Sequence, residues 1–152
     1  MSSLLGACND LEPQRLAVGE ALFREGEYSG AIYVLLEGEL EVRKGDVAIA
    51  SVATPGAFFG EMSVLTGGPH SATVLAATES KVYVRNDARE LLVSRPELLL
   101  PIAQVLARRL ATATDRLADL KSASTPTGPE SLEELYGSLI GYDDRFYFSD
   151  AG

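Results

Sequence analysis

Hydrophobic and polar residues alternate in short runs along the first half of the chain. Residues 31–36 are almost continuously apolar, residues 39–43 alternate polar and apolar, and residues 47–52 form a third β-prone run. A period of two residues is typical of a half-buried strand. Glycines punctuate these runs at positions 19, 26, 30, 38, 45 and 56. Turns spaced roughly 8–12 residues apart predict an antiparallel sandwich or barrel over residues 15–85, with further strands at 74–76 and 81–85.

The hydrophobic period changes after Arg85. Asn86 or Asp87 is a candidate N-cap for a short helix from Ala88 to about Ser94, and Glu90 is placed to complete a capping box with Asp87. Pro96 ends that helix, because the residue before a proline avoids helical dihedrals. A longer helix is predicted from near Glu97 or Pro101 to Leu120.

The long helix carries an apolar stripe with spacings of four and three residues. Its members are Leu106, Leu110, Ala113, Leu117 and Leu120. Two interpretations stay open: the stripe packs on the barrel of its own chain, or it forms a two-helix seam in a homodimer through residues 101–121. Two and a half heptads do not decide between them, because a coiled-coil assignment needs about three to four.

Composition restricts the classes of function. The chain has 152 residues, 46% of them hydrophobic, which suits one domain with an adequate core. The net charge of −9 argues against DNA binding by this chain alone, since a DNA-binding protein neutralises phosphates with clustered basic side chains. The single cysteine, Cys8, cannot form an internal disulfide, so a cytoplasmic protein is expected. No apolar run approaches the roughly 20 residues that span a bilayer.

The two ends of the chain differ from its centre. Residues 1–14 show little pattern and are predicted to form a loose or partly helical lead-in. Residues 122–129 have the composition of a linker. The remaining tail, to residue 152, has six acidic residues against Arg145 alone, and an aromatic cluster at positions 142 and 146–148. These aromatic residues either dock on the barrel or contact a downstream protein partner.

The stretch from Phe59 to Val74 carries the most specific pattern in the chain. Phe59-Gly60-Glu61 is followed at a fixed spacing by Pro69, His70, Ser71, Ala72 and Val74. This order resembles the phosphate-binding cassette of cyclic nucleotide-binding domains, with His70 in the position of the family's arginine. Residues 23–27 and 32–42 also match the family, so that the resemblance covers residues 15–121. It implies a mainly β fold: a double-stranded β-helix, or jelly-roll-like barrel (15–85), followed by C-terminal helices (87–121).

The resemblance also implies a set of ligand-binding residues. They are Phe59, Gly60, Glu61, Met62, Ser63, Pro69, His70, Ser71, Ala72 and Thr73. Glu61 is expected to accept the ribose 2′-hydroxyl in a charge-assisted hydrogen bond. Gly60 is expected to let the backbone approach the sugar, and the amides of Met62 and Ser63 to open a helical turn whose dipole favours an anion. Ser71 and Ala72 are expected to donate to the cyclic phosphate.

His70 changes what the resemblance implies. An arginine supplies a permanent forked charge, whereas an imidazole supplies one donor to the phosphate and a charge that depends on pH. Weaker nucleotide binding that strengthens at lower pH is therefore expected. The alternative is a degenerate cassette, in which the fold serves as a protein–protein interaction module without nucleotide.

Two further features of the ligand site are its preference between cAMP and cGMP and its contact with the purine. Ser71 follows His70 and slightly favours cAMP over cGMP, on the family's pattern. Arg108 and Arg109 on the long helix either stack on the purine as a lid or are solvated charges.

An enzymatic function is not expected. With one histidine and one cysteine far apart in the sequence, no cluster supports a metal site, and no nucleophile has an evident base. The sequence therefore predicts a cytoplasmic regulatory or sensor domain whose ligand is cAMP or cGMP, with no catalytic residues and no metal. Its signal is expected to be a movement of the helices after Arg85 against the barrel.

Overall fold

The computed structural model describes residues 3–122, which form two antiparallel four-stranded sheets and a set of helices. The strands are β1 (Gln14–Leu16), β2 (Ala21–Phe23), β3 (Ile32–Glu37), β4 (Leu40–Lys44), β5 (Val47–Val52), β6 (Phe58–Phe59), β7 (Thr73–Ala76) and β8 (Ser80–Arg85). The helices are α1 (Glu61–Thr66), α2 (Ala88–Ser94) and α3 (Leu99–Ser122), with 3₁₀ turns at Gly6–Cys8 and Pro96–Leu98. The mainly β fold class with C-terminal helices is confirmed.

The sheets have the strand orders β1-β8-β3-β6 and β2-β7-β4-β5. Strands that are neighbours in the sheet are mostly distant in the chain, as β3 with β8, where Val34 faces Tyr83. Their inward side chains make one continuous apolar core between the sheets, formed mainly by Leu35, Leu40, Val42, Val52, Phe59, Val74 and Val82. Alternation of buried and half-buried residues along β4 and β7 is what the polar–apolar pattern predicts for strands with one covered face.

A second core joins the outer side of the β3 sheet to the helices. Ile32, Val34 and Phe58 from the barrel pack there with Leu98 and Ile102. The lead-in segment covers the edge of this core through three buried residues, Leu4, Ala7 and Cys8. Burial raises the pKa of the Cys8 thiol to about 11, so that the thiol is protonated and acts as a small apolar side chain.

Three short strands were not predicted from the sequence, namely β1, β2 and β6. Each has only two or three residues, too few for an alternating pattern to stand out. The predicted capping box was wrong. Asp87 is the N-cap of α2, but its side chain makes no cap hydrogen bond. Its carboxylate lies instead 2.7 Å from Nε of Arg85, because the guanidinium offers a charged partner that the helix amide does not.

The apolar stripe predicted on α3 does not pack as a whole on the barrel of its own chain. Leu110 and Leu117 are 69% and 53% exposed, whereas Leu106 is half-buried against the second core. The residues that α3 buries are Ile102, Val105 and Arg109, spaced three and four apart. The prediction for residues 123–152 lies outside the described part of the chain.

Candidate functional site

The second residue of the cassette, Gly60, is a glycine that no other residue replaces without strain. Gly60 has φ +86° between the end of β6 and the first residue of α1. A Cβ at this position would lie 2.8 Å from the Ala31 carbonyl oxygen and 3.2 Å from Cδ2 of Tyr33. Both the positive φ and the close packing require glycine. The chain thereby turns from strand to helix within one residue, and Glu61 becomes the first residue of α1.

Glu61 is fully buried, and its two carboxylate oxygens have different surroundings. Its Oε1 accepts a hydrogen bond of 2.5 Å from Nη1 of Arg109 on α3. Its Oε2 is buried without a hydrogen-bond partner among residues 3–122. A buried acceptor without a hydrogen-bond partner costs free energy. A ligand that donates a hydrogen bond to Oε2 would remove this cost, so the atom marks a candidate ligand contact.

Arg109 was not among the site residues predicted from the sequence. It is 5% exposed, and its guanidinium carbon lies 6.0 Å from the centre of the Phe58 ring. The sequence did hold a signal for it, since Arg109 follows Ile102 and Val105 at the spacing of the buried face of α3. A basic residue in register with a core stripe indicates a buried partner of opposite charge.

His70 is buried in a contact with the barrel. Its ring stacks on Phe23, with centroids 3.8 Å apart and planes 15° apart, and its Nε2 lies 2.8 Å from Oγ of Ser29. Burial lowers the pKa of the imidazole, and the nearby Glu27 carboxylate raises it only in part. The packing therefore favours the neutral ring, which has no fixed charge to offer an anion.

The segment after His70 brings two further predicted residues to the interior. Ala72 is fully buried, and Oγ of Ser71 is buried without a hydrogen-bond partner in the described residues. The carbonyl oxygen of Ser71 accepts a hydrogen bond of 2.6 Å from Nζ of Lys44. Lys44 also forms an ion pair with Glu25, at 2.6 Å. The partly exposed ammonium group of Lys44 thus binds the segment after His70 from the solvent side.

The remaining predicted site residues have varied surroundings. Phe59 is fully buried in the barrel core, and Pro69 is exposed. Oγ of Ser63 donates to the Gly68 carbonyl at 2.6 Å and so fixes the loop after α1. Oγ1 of Thr73 accepts from the Glu25 amide at 2.9 Å. Met62 is 39% exposed, at the surface of α1.

Within residues 3–122, no group of three or more histidine, cysteine, aspartate or glutamate side chains is arranged to hold a metal ion. In the same part of the chain, no helix combines the length and apolar character needed to cross a membrane.

Comparison with known proteins identifies the family. Residues 13–91 match the family described as "Cyclic nucleotide-binding domain". The chain is 29% identical, over 82% of its length, to a CRP-like cAMP-activated global transcriptional regulator of Mycobacterium tuberculosis, and it covers 58% of that protein. It is 33% identical, over 91% of its length, to a cAMP-dependent protein kinase regulatory subunit of Mycosarcoma maydis, of which it covers 27%.

The fold has solved counterparts as well. The catabolite activator protein of Thermus thermophilus superimposes with a TM-score of 0.61 at 22% identity, covering 92% of this chain and 76% of the other. At this identity the likeness concerns the fold alone. The chain spans less than two thirds of the curated relatives described above. The matched family model covers the barrel and the first half of α2, and the relative from Mycosarcoma maydis extends the similarity over nearly the whole chain, so the protein belongs to the cyclic nucleotide-binding domain family.

Proposed function

We propose that the chain is a regulatory domain that binds a cyclic nucleotide, with cAMP preferred over cGMP, and signals through α3. The observation that carries this proposal is a pair of buried oxygen atoms in one cassette. Oε2 of Glu61 and Oγ of Ser71 have no hydrogen-bond partner within residues 3–122. A ligand that supplies a hydroxyl donor to the carboxylate and an acceptor to the hydroxyl satisfies both atoms.

A cyclic nucleotide has those two groups on a single rigid frame. Its ribose 2′-hydroxyl donates to Oε2 of Glu61, and its phosphate accepts from the Ser71 hydroxyl and from the amide of Ala72. Charge-assisted hydrogen bonds of the first kind contribute roughly 1.5–3 kcal/mol. A ligand without the 2′-hydroxyl leaves the buried carboxylate unpaired and is therefore rejected.

Two observations support the proposed preference for cAMP over cGMP. Both curated relatives described above carry cAMP in their names. Ser71 stands between the alanine that the family's pattern associates with cAMP and the threonine that it associates with cGMP, and it favours cAMP slightly.

The proposed signal passes through the carboxylate of Glu61. Arg109 of α3 and the ligand bind opposite oxygens of the same buried group. A ligand that strengthens or loosens this ion pair binds one position of α3 better than another, and only such a difference in affinity moves an equilibrium. The proposal therefore includes altered amide-exchange protection in residues 97–121 when ligand is added.

The partners and location follow from the same features. A second copy of the chain is a proposed partner through residues 101–121 of α3. The proposed seam follows the apolar stripe Leu106, Leu110, Ala113, Leu117 and Leu120, in which Leu110 and Leu117 are exposed in the single chain. We further propose a cytoplasmic protein without catalytic or DNA-binding activity of its own, since the net charge is −9 and its relatives act in regulation.

Calorimetric titration at pH 7.5 tests the proposal with four ligands: cAMP, cGMP, 2′-deoxy-cAMP and linear 5′-AMP. The expected order of affinity is cAMP, then cGMP, with 2′-deoxy-cAMP at least about 10-fold weaker than cAMP. Linear 5′-AMP controls for nonspecific nucleotide binding. Absence of heat with both cyclic nucleotides would favour the degenerate fold, used as a protein-interaction module. Equal affinity for cAMP and its deoxy analogue would contradict the role of Glu61.

A further inference from the structure

The proposed ligand brings a negative charge that the cassette itself does not neutralise. A cyclic phosphate carries one negative charge at neutral pH, and burying a charge without compensation is costly. Residues 59–74 contain no lysine or arginine. His70 is stacked on Phe23 and bonded to Ser29. If the proposed function is correct, the compensating charge must come from another part of the barrel.

Lys44 is the lysine that touches the phosphate side of the cassette. It is the last residue of β4, and the pairing of Arg43 with Thr73 brings it beside the segment that leads into β7. Its Nζ donates to the Ser71 carbonyl oxygen at 2.6 Å. The side chain is 42% exposed, so the ammonium approaches this segment from the solvent side.

Glu25 fixes the position of Lys44. Its Oε1 lies 2.6 Å from Nζ of Lys44, and its Oε2 accepts from the Gly45 amide at 3.1 Å. The Glu25 amide donates in turn to Oγ1 of Thr73 at 2.9 Å. Lys44 is thus held by a residue that is bound on both sides: the Glu25 carboxylate contacts Lys44 and the turn after β4, and the Glu25 amide contacts β7.

The contact between Lys44 and the Ser71 carbonyl also orients the amide of the same peptide bond. The peptide bonds of residues 3–122 are trans, and in a trans peptide the C=O and N–H groups point to opposite sides. When Lys44 holds the carbonyl of Ser71 from the solvent side, the amide of Ala72 points the other way. Ala72 is fully buried, and the unpartnered Oγ of Ser71 is buried beside it. A cation on the carbonyl also polarises the amide and makes it a stronger donor.

We propose that Lys44 positions and polarises the Ser71–Ala72 peptide for the phosphate of the ligand, so that positive charge reaches the anion through this peptide instead of through His70. Lys44 is a positioning residue in this scheme, because it acts on the ligand through Ser71 and Ala72. The role requires the positive charge of the side chain and not its particular shape.

The experiment measures cAMP affinity by calorimetry for the wild type, Lys44→Gln, Lys44→Arg and Lys81→Gln. Lys81 is the matched control, since it is a half-buried lysine paired with Glu37 at 3.1 Å in the other sheet. Lys44→Gln is expected to weaken binding about 10-fold, which corresponds to ~1.4 kcal/mol. Lys44→Arg is expected to stay within about threefold of the wild type, because it keeps the charge. Lys81→Gln should bind as the wild type does.

Salt dependence separates an electrostatic role from a purely structural one. The affinity of the wild type should fall between 50 mM and 500 mM NaCl, and the fall should be smaller in Lys44→Gln, because salt screens a partly exposed charge. Equal salt dependence, or equal losses in Lys44→Gln and Lys44→Arg, would overturn the proposal in favour of a structural contact. Unchanged affinity in Lys44→Gln would overturn it while leaving the proposed function in place. If the wild type itself binds no cyclic nucleotide, the proposed function fails, and this inference fails with it.

Discussion

The guanidinium of Arg109 lies 2.5 Å from the carboxylate of Glu61, and both side chains are shielded from solvent. One belongs to the first turn of α1 and the other to the middle of α3, 48 residues later in the chain. The pair therefore joins the cassette to the C-terminal helix by a charged contact in the interior. Breaking a buried ion pair on one side leaves an uncompensated charge, which costs much more than the pair contributes as a whole.

Replacing Arg109 alone is expected to destabilise the fold strongly. Arg109→Met should lower the free energy of unfolding by about 3–5 kcal/mol, because it leaves the Glu61 carboxylate buried without its partner. The double variant Arg109→Met/Glu61→Gln should recover a large part of this loss, since no charge then remains buried. Urea denaturation gives both values. Arg89→Ala, at an exposed position of α2, is the control and should change stability by less than about 0.5 kcal/mol. A double variant no more stable than Arg109→Met would contradict the explanation.

Two glycines of the cassette allow backbone strain to be separated from steric clash. Gly60 and Gly67 both have positive φ, +86° and +73°, but a Cβ meets the Ala31 carbonyl only at Gly60. Gly67→Ala should cost about 1–2 kcal/mol, the penalty for the left-handed conformation. Gly60→Ala should cost roughly 3 kcal/mol or more, because the backbone must also shift. Similar unfolding free energies for the two variants would show that the turn at Gly60 adapts without cost.

His70 is expected to make the fold less stable in mild acid. Its pKa in the folded state is lowered by burial, so the unfolded chain, with an ordinary value near 6.5, binds the proton more readily. The free energy of unfolding is therefore unaffected by this group above about pH 6.5 and decreases as the pH falls below that value. His70→Phe keeps an aromatic ring beside Phe23 and removes the titrating group.

Urea denaturation between pH 5 and pH 7.5 checks this effect of His70. Because the chain has one histidine, the difference in slope between the wild type and His70→Phe isolates its contribution. Identical pH dependence of the two proteins would contradict the assignment. Calorimetry of the wild type with cAMP supplies a second readout, since affinity that rises steeply on acidification would mean that a charged imidazole meets the phosphate.

The exposed leucines of α3 test the proposed dimer. Leu110 and Leu117 are 69% and 53% exposed in the single chain, so Leu110→Glu and Leu117→Glu should leave its fold intact. In a two-helix seam these substitutions bury charge, and they are expected to shift the protein to monomer in sedimentation equilibrium. Val93→Glu, on α2 at 74% exposure, is the control and should not change the mass. A wild type that is already monomeric at 100 µM would exclude the seam at that concentration.

The sequence predicted the longer elements well because their patterns are local. β5 begins and ends at the predicted residues, and α2 covers the predicted range. The shortest strands, such as β6, were not predicted, since two residues held by pairing with β3 carry no periodic signal of their own. The wrong capping interaction at Asp87 has a related cause, because the competing partner Arg85 becomes available only in the folded strand.

The features of the cassette also separate into those that the sequence predicts and those that the tertiary structure sets. The order of Phe59, Gly60 and Glu61 with Ser71 and Ala72 is a property of the sequence, and it was sufficient to indicate the family. Which atoms of these residues remain without partners, and that Arg109 takes one side of Glu61, depends on where α3 lies against the barrel. The same holds for His70, whose stacking on Phe23 joins residues 47 positions apart.

The sequence by itself determined the β-rich fold, the family and the position of the cassette, because alternation, glycine placement and motif spacing are written along the chain. Only the tertiary structure decided the electrostatics of the site: the burial of His70, the approach of Lys44 to Ser71 and the burial of Arg109 against Glu61. Charges interact over distances in space, and folding sets those distances between residues that the sequence keeps far apart.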